Sequence, residues 1–291
     1  MERTVSQDST VDHGTGTAGA AGTLAQRPGS KVVATIEEAV AGIGDGALLA
    51  VGGFGLCGVP QILIDGVLAS GATDLAIASN NCGVDEAGLG VLLMAGRIRK
   101  MYSSYVGENK EFARQFLSGE LEVELMPQGT LAEKLRAGGS GIAAFFTQAG
   151  VGTQIADGGL PRRYDGDGGV ALASPPKEVR EFSHGGTATE FVLEEAIVAD
   201  YALVHALKAD LYGNLVFNKA ARNFNPLAAM AGKVCIVQAE EVVEPGELDP
   251  DQIHLPGVYV HRVLPVGADI TKPIEKRTIT AAGTAARDGG N

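Results

Sequence analysis

The apolar positions of this chain change period along its length, and the changes lay out its elements. Thr35-Ile-Glu-Glu38 fits a capping box opening a short helix to about Ala41, with Asp45-Gly46 as the turn that follows. Ala47 to Val51 is wholly apolar, as expected of a strand covered on both faces, where polar alternation is not needed. Pro60 suits the first turn of a helix to Ala69, with Ile62, Leu63, Val67 and Leu68 on its apolar face. A strand over Leu75 to Ser79, a helix around Gly88 to Ala95 and a strand near Lys100 to Ser103 continue the rhythm. Asn109 reads as the N-cap of a helix carrying Phe112 and Phe116 and stopped at Gly119. Leu121, Val123 and Leu125 alternate with Glu122 and Glu124, a strand with one buried and one wet face. Met126-Pro127-Gln128-Gly129 breaks that strand, and Thr130-Leu-Ala-Glu133 caps a helix ending at Gly138-Gly139.

This alternation predicts an α/β fold: an open, mainly parallel sheet with helices on both faces. Ligands of such sheets bind outside the carboxyl ends of the strands. Gly52 to Gly58, Asn80 to Gly83, Ser104 to Asn109 and Pro127 to Thr130 all follow predicted strands, so four loops are expected along one edge. The second half is less regular. Ala143 to Gly152 is a glycine-flanked apolar segment, and Gly158 to Gly169 reads as a surface excursion. Tyr201 to Leu207 and Val234 to Val237 read as strands, Gly213-Asn214 as a turn into Leu215 to Phe217, and Asn225-Pro226 as the start of a helix ended by Gly232. Residues 1–30 lack apolar periodicity and are expected to be a disordered extension, followed by one domain over 31–266 and a polar tail over 267–291, disordered at its end.

Composition narrows the class. The 291 residues are 45% apolar and 20% charged, as in a soluble globular protein, and the 41 glycines are about twice the usual share, favouring loop-built sites. A net charge of −12 argues against a nucleic-acid partner, whose phosphates are met by Lys and Arg. No apolar run reaches the roughly 18 residues of a membrane span, so no membrane association is expected. Residues 1–30 carry no apolar core of a signal peptide and are too acidic for a transit peptide. Cys57, Cys82 and Cys235 are odd in number and widely spaced, which points to reduced thiols and a cytoplasmic location. His184, His205, His254 and His261 lack metal-ligand spacing, so packing or surface roles are expected and no metal. The acids between Glu240 and Asp251 read as a solvated connector or a partner contact.

The chemistry concentrates in Gly52-Gly-Phe-Gly-Leu-Cys-Gly58, a donor-rich loop between a strand and a helix start. Gly53-Phe-Gly55-Leu-Cys-Gly58 satisfies the dinucleotide pattern G-x-G-x-x-G, and an oxidoreductase or nucleotide-binding module is one reading. That pattern wants an acid roughly 20 residues on, at the end of the second strand. Here the strand ends in Ser79-Asn80-Asn81, so the partner for the ribose hydroxyls is missing.

The other reading rests on a resemblance. Asp45-Gly46, three apolar residues, Gly52-Gly53-Phe54, Gly58 and Pro60 resemble the signature of the first subunit of the 3-oxoacid CoA-transferases. Ser79-Asn80-Asn81, the Ser103 to Asn109 segment, Ser118 to Leu125, Pro127 to Glu133, Ala221-Arg222-Asn223-Phe224-Asn225 and Glu244 to Leu248 resemble the same family in the same order, from about Lys31 to about Arg277. The resemblance implies CoA transfer from succinyl-CoA to a 3-oxoacid through a glutamyl thioester, with CoA thioester as substrate and no permanently bound cofactor. The family's glutamate lies in a Ser-Glu-Asn-Gly context that this chain lacks. It is therefore placed on a B subunit, in an A2B2 assembly, with Glu108 of Gly107-Glu108-Asn109 a weaker candidate. By the same resemblance Asn80, Asn81 and Gln128 are donors lining the site, Gln128 orienting the partner's glutamate, and Gly52, Gly53, Phe54, Gly55 and Gly58 admit the thioester. Arg222 is a candidate for pairing with a carboxylate, and Cys57 a candidate thiol beside a helix start. Leu93 to Gly96 and Gly141 to Phe146 lean toward the sister group acting on 3-oxoadipate, whereas the longer Ser104 to Leu125 block leans toward the succinyl-CoA enzymes.

Overall fold

The computed structural model describes residues 21–107 and 109–273. Residues 21–25 form a helical turn, and Leu24 and Ala25 pack against the core; the rest of the expected N-terminal extension and the end of the C-terminal tail lie outside the described residues. In chain order the elements are α1 (Ile36–Val40), β1 (Leu48–Val51), α2 (Gln61–Ser70), β2 (Leu75–Ala78), α3 (Gly90–Met94), β3 (Ile98–Ser103), α4 (Lys110–Leu117), β4 (Glu122–Leu125), α5 (Gln128–Gly139), β5 (Ala144–Thr147) and α6 (Gln154–Asp157). They continue with β6 (Pro161–Tyr164), β7 (Val170–Ala173), β8 (Val179–His184), β9 (Thr187–Glu195), β10 (Ala199–Asp210), β11 (Leu215–Val216), α7 (Asn225–Ala231), β12 (Gly232–Val243) and β13 (Arg262–Pro265).

The main sheet runs β13-β12-β10-β1-β2-β3-β4 with every neighbour on this path parallel, and β11 adds antiparallel to β10. β1 and β2 are wholly apolar, with both faces covered. Leu49, Val51, Ile77, Met101, Val123 and Leu203 meet Leu63, Ile64 and Val67 of α2, Leu92 of α3 and Phe112 of α4 on one face. On the other, Ala50, Ala78, Ala202, Val204 and Val237 meet Leu131 and Leu135 of α5 and Ala228 and Ala229 of α7. Burying each large aliphatic side chain is worth roughly 1.5–3 kcal/mol. The alanines on the second face set how close α5 and α7 lie to the sheet. The two helices meet where a Cβ on Gly139 would come within 2.4 Å of Met230 Cβ.

Sequence periodicity missed one part of the molecule. Gly158 to Gly169 is no mere excursion, since it holds β6, which pairs with β7, and β5-β9-β8 form an antiparallel sheet. β8 is exposed along its whole length, so no apolar alternation marks it. That sheet is held to the body by Glu194 of β9, 1% exposed, which takes Lys134 of α5 at 2.9 Å and Lys177 at 2.5 Å. Glu122 and Glu124 were expected on a wet face, but Lys100 spans both, at 2.7 and 3.4 Å, and Arg162 of β6 joins Glu124 at 3.0 Å. β6 thus covers the face of β4 that was expected to be wet.

Candidate active site

The order β10-β1-β2 places a reversal between β1 and β10, where open sheets form a crevice. The segments after β1, β2, β3 and β4 all leave the carboxyl edge. Three of them converge on Asn80. Its carbonyl accepts Ser103 Oγ at 2.8 Å and the Ser104 N–H at 3.2 Å, and its Oδ1 accepts Ser104 Oγ at 2.9 Å and Gln128 Nε2 at 2.6 Å. Asn80 is 2% exposed. With Oδ1 held by two donors, Nδ2 has one orientation, and among the described residues it has no partner. An amide donor is thus fixed at the strand end.

Gln128 stands at the first position of α5 and is exposed. The expected helix start at Thr130 is corrected to Gln128, because Pro127 at the N-cap supplies the bend and no side chain caps the helix. The first N–H groups of α5 therefore lack intrahelical acceptors and carry the positive end of its dipole. Thr130 of that turn is buried, and its hydroxyl has no partner among the described residues. Asn81 is 5% exposed and lies beside Gly107, whose Cβ, if present, would be 3.9 Å from its Nδ2. Glu108 lies outside the described residues. The site side chains placed here are neutral donors, suited to an oxygen on which negative charge develops.

The glycine loop is built differently. Phe54 and Cys57 exchange both backbone hydrogen bonds, at 3.1 and 3.0 Å, in a tight hairpin with Phe54 48% exposed at its tip. Ser79 Oγ donates to Val51 O at 2.9 Å, and Gln61 Oε1 accepts the Gly88 N–H at 2.7 Å, tying the loop's two ends to the loop after β2. Asn223 and Asn225 of the Ala-Arg-Asn-Phe-Asn motif hold its far side, donating to Cys57 O at 2.9 Å and Gly58 O at 3.0 Å. At Gly58, where φ is +73°, a Cβ would lie 2.5 Å from Ala221 O. Gly52 and Gly58 are thus required for packing against residues 221–225. Among the described residues no hydrogen bond joins this loop to Asn80 or Gln128.

Sequence reasoning singled out Arg222 of that motif. The structure leaves it exposed and without an ion pair among the described residues, while the flanking asparagines do the holding. His254 Nδ1 accepts the Phe217 N–H at 2.9 Å and His261 Nδ1 the Cys235 N–H at 3.0 Å, packing roles as expected. Glu240 is corrected: it is not in a solvated connector but 6% exposed, against His205 at 3.1 Å and Lys272 at 2.6 Å. Burial pushes the Cys57 thiol up from its ordinary value, against the expectation of an activated sulfur. Among the described residues no group of His, Cys, Asp and Glu could hold a metal ion, and no helix is long and apolar enough to cross a membrane.

Residues 33–265 match the family model of coenzyme A transferase. The chain belongs to the coenzyme A transferase family. This transferase chain is 61% identical over 249 residues to the A subunit of the probable succinyl-CoA:3-ketoacid coenzyme A transferase of Mycobacterium tuberculosis, covering 86% of this chain and 98% of that one. It is 55% identical over 252 residues to the Bacillus subtilis protein of the same name, covering 87% and 96%. Its fold matches the acyl-CoA transferase YdiF of Escherichia coli with a TM-score of 0.68 at 22% identity, covering 82% of this chain. The transferase chain spans 47% of the length of YdiF. With the family shown over residues 33–265, the dinucleotide reading is set aside.

Proposed function

We propose that this chain is the A subunit of a succinyl-CoA:3-oxoacid CoA-transferase, moving CoA from succinyl-CoA to a 3-oxoacid such as acetoacetate. The reading is carried by the 61% identity that spans 98% of the Mycobacterium tuberculosis chain. The enzyme is a cytoplasmic A2B2 assembly with no permanently bound cofactor, and the nucleophilic glutamate belongs to the B subunit.

The chemistry runs through two exchanges at carbonyl carbon. The partner's carboxylate attacks the succinyl thioester, a C–O bond forms, and the C–S bond breaks to give a mixed anhydride and CoA thiolate. The thiolate then attacks the glutamyl carbonyl and expels succinate, leaving the enzyme thioester. The oxoacid carboxylate attacks that thioester and the same two steps run in reverse. Each addition puts negative charge on a carbonyl oxygen, and a fixed donor aimed at it is worth about 3–4 kcal/mol. Asn80 supplies such a donor, held by Gln128 and Ser104. Gln128 and Asn81 line the same edge, Gln128 orienting the partner's glutamate, and Gly52, Gly53, Phe54, Gly55 and Gly58 admit the thioester. The thioester's arrival beside uncapped α5 brings the oxygen to a helix N-terminus, where anionic charge is favoured.

The test is CoA transfer from succinyl-CoA to acetoacetate by the purified chain alone and after co-expression with its B-type partner. Activity is expected only in the mixture, and Gln128→Ala lowers kcat by about 10-fold or more through loss of the Asn80 clamp. Activity of the chain alone would return the nucleophile to this polypeptide and overturn the half-site assignment.

A further inference from the structure

His205 lies on β10 two residues beyond Leu203, whose carbonyl accepts the Gly52 N–H at 3.0 Å, so its ring stands at the base of the glycine loop. The ring is 9% exposed and fits between two acceptors. Its Nδ1 is 3.3 Å from Val59 O, at the end of the loop, and its Nε2 is 3.1 Å from Glu240 Oε1 on β12. Neutral imidazole has a single N–H, so it can satisfy only one of them. Imidazolium has two and satisfies both. The carboxylate is the stronger acceptor, and Val59 O already takes the Gln61 N–H at 3.0 Å. When the ring loses a proton, the contact given up is therefore the one to the loop. We propose that His205 is a positioning residue for the CoA-transfer reaction: its imidazolium latches the glycine loop to Glu240, and its neutral form releases the loop. This rests on the reading that the loop admits the thioester.

The surroundings set when the latch works. Among the described residues the charged groups facing His205 are Glu240 from β12 and, through it, Lys272 beyond β13, whose Nζ holds the second Glu240 oxygen at 2.6 Å. From α7, Asn225 offers only a neutral Oδ1, and to the backbone N–H of His205 at 3.0 Å, not to the ring. Burial holds the ring below the ordinary histidine range, Glu240 opposes that, and Lys272 adds to it. The loop is accordingly latched in acid and free near neutrality.

The experiment uses the assembled two-subunit enzyme, with 13C at histidine Cε1 and at the valine carbonyl of this chain alone. Both labels are followed by NMR against pH, alongside KM and kcat for succinyl-CoA. The His205 ring is expected to titrate, with Val59 C=O shifting at the same midpoint. Lys272→Met raises that midpoint and Glu240→Gln lowers it. KM rises roughly 3- to 10-fold through the midpoint as one charge-assisted contact is lost, while kcat changes little. In His205→Gln that step in KM is absent. A ring that holds one protonation state, a midpoint unmoved by Lys272→Met, or a Val59 carbonyl deaf to the titration would each overturn the latch. If ring and carbonyl titrate together and KM stays flat, the latch stands and the assignment of the loop to substrate fails.

Discussion

A Cβ on Gly52 would sit 2.0 Å from Oδ1 of Asn225 and 3.0 Å from its Cα, so the amide of one residue occupies the space the other leaves empty. That amide donates to Gly58 O at 3.0 Å and Ala221 O at 2.8 Å and accepts the His205 backbone N–H, where β10 runs on past the end of β1. Gly52→Ala is expected to destabilise by about 1–3 kcal/mol through overpacking. Asn225→Ala costs about 1–3 kcal/mol by leaving buried backbone groups unpaired. Because both act on one space, urea unfolding of the double variant should show a cost smaller than the sum. Strict additivity would mean that the two do not share that space.

Glu194 makes a second prediction, about how the small sheet is attached. Its carboxylate is almost fully buried and faces two lysines, Lys134 and Lys177. Glu194→Gln leaves two ammonium groups without their counter-charge, a loss of about 3–5 kcal/mol for a broken buried pair. Exchanging Glu194, Lys134 and Lys177 together for Leu, Met and Met should cost much less. Urea unfolding separates the outcomes. Equal losses in the single and the triple variant would show that packing, and not the charge, holds β9 to α5.

These contacts also mark where sequence reading succeeds and where it stops. Strands β1 and β2 were legible because burial on both faces leaves an unbroken apolar run, β4 and β10 because their large apolar side chains alternate with polar or smaller ones, and the loops after them followed from parallel connection. Asn80 and Gln128 were singled out by the family resemblance alone, and their mutual hydrogen bond joins residues 48 positions apart, which no local spacing shows. Strand β8 was not legible, since an exposed strand carries no alternation. His205 looked like a packing histidine for the same kind of reason. Its meaning depends on Val59 and Glu240, 146 and 35 residues away, which no local spacing reveals.

Asp200 gives a prediction in acid. Its carboxylate accepts the Leu48 N–H at 3.0 Å and Lys233 Nζ at 2.9 Å, pinning the start of β1 to β10 and β12. The backbone bond, then the lysine, hold its pKa below the ordinary carboxylate value. A depressed folded pKa means stability that is present above the unfolded value, near 3.9, and lost as pH falls through the folded one. The side chain is 43% exposed, so the contribution is screened to about 1 kcal/mol or less. Asp200→Asn should lower stability slightly at pH 7 and remove part of its loss below pH 4, as read by thermal melts across pH. A melt that changes equally at every pH would assign the effect to packing.

Cys57 offers the most direct probe of the glycine loop. Cys82 and Cys235 are fully buried, and burial raises both thiols far above the ordinary value. Cys57 is partly exposed within the loop, and its thiol is raised too, by burial alone. Thiolate is the reactive form, so alkylation of the native protein should be slow at neutral pH and confined to this one sulfur until the chain unfolds. Mass spectrometry after limited iodoacetamide treatment counts the adducts and places them. Cys57 N–H and C=O pair with Phe54 across the hairpin, so an adduct there adds bulk at the tip without cutting the loop's own bonds. If the tip admits the thioester, alkylation raises KM for succinyl-CoA, and saturating succinyl-CoA slows the alkylation. Equal rates with and without that substrate would place the thioester away from the tip and leave Asn80 and α5 to hold it.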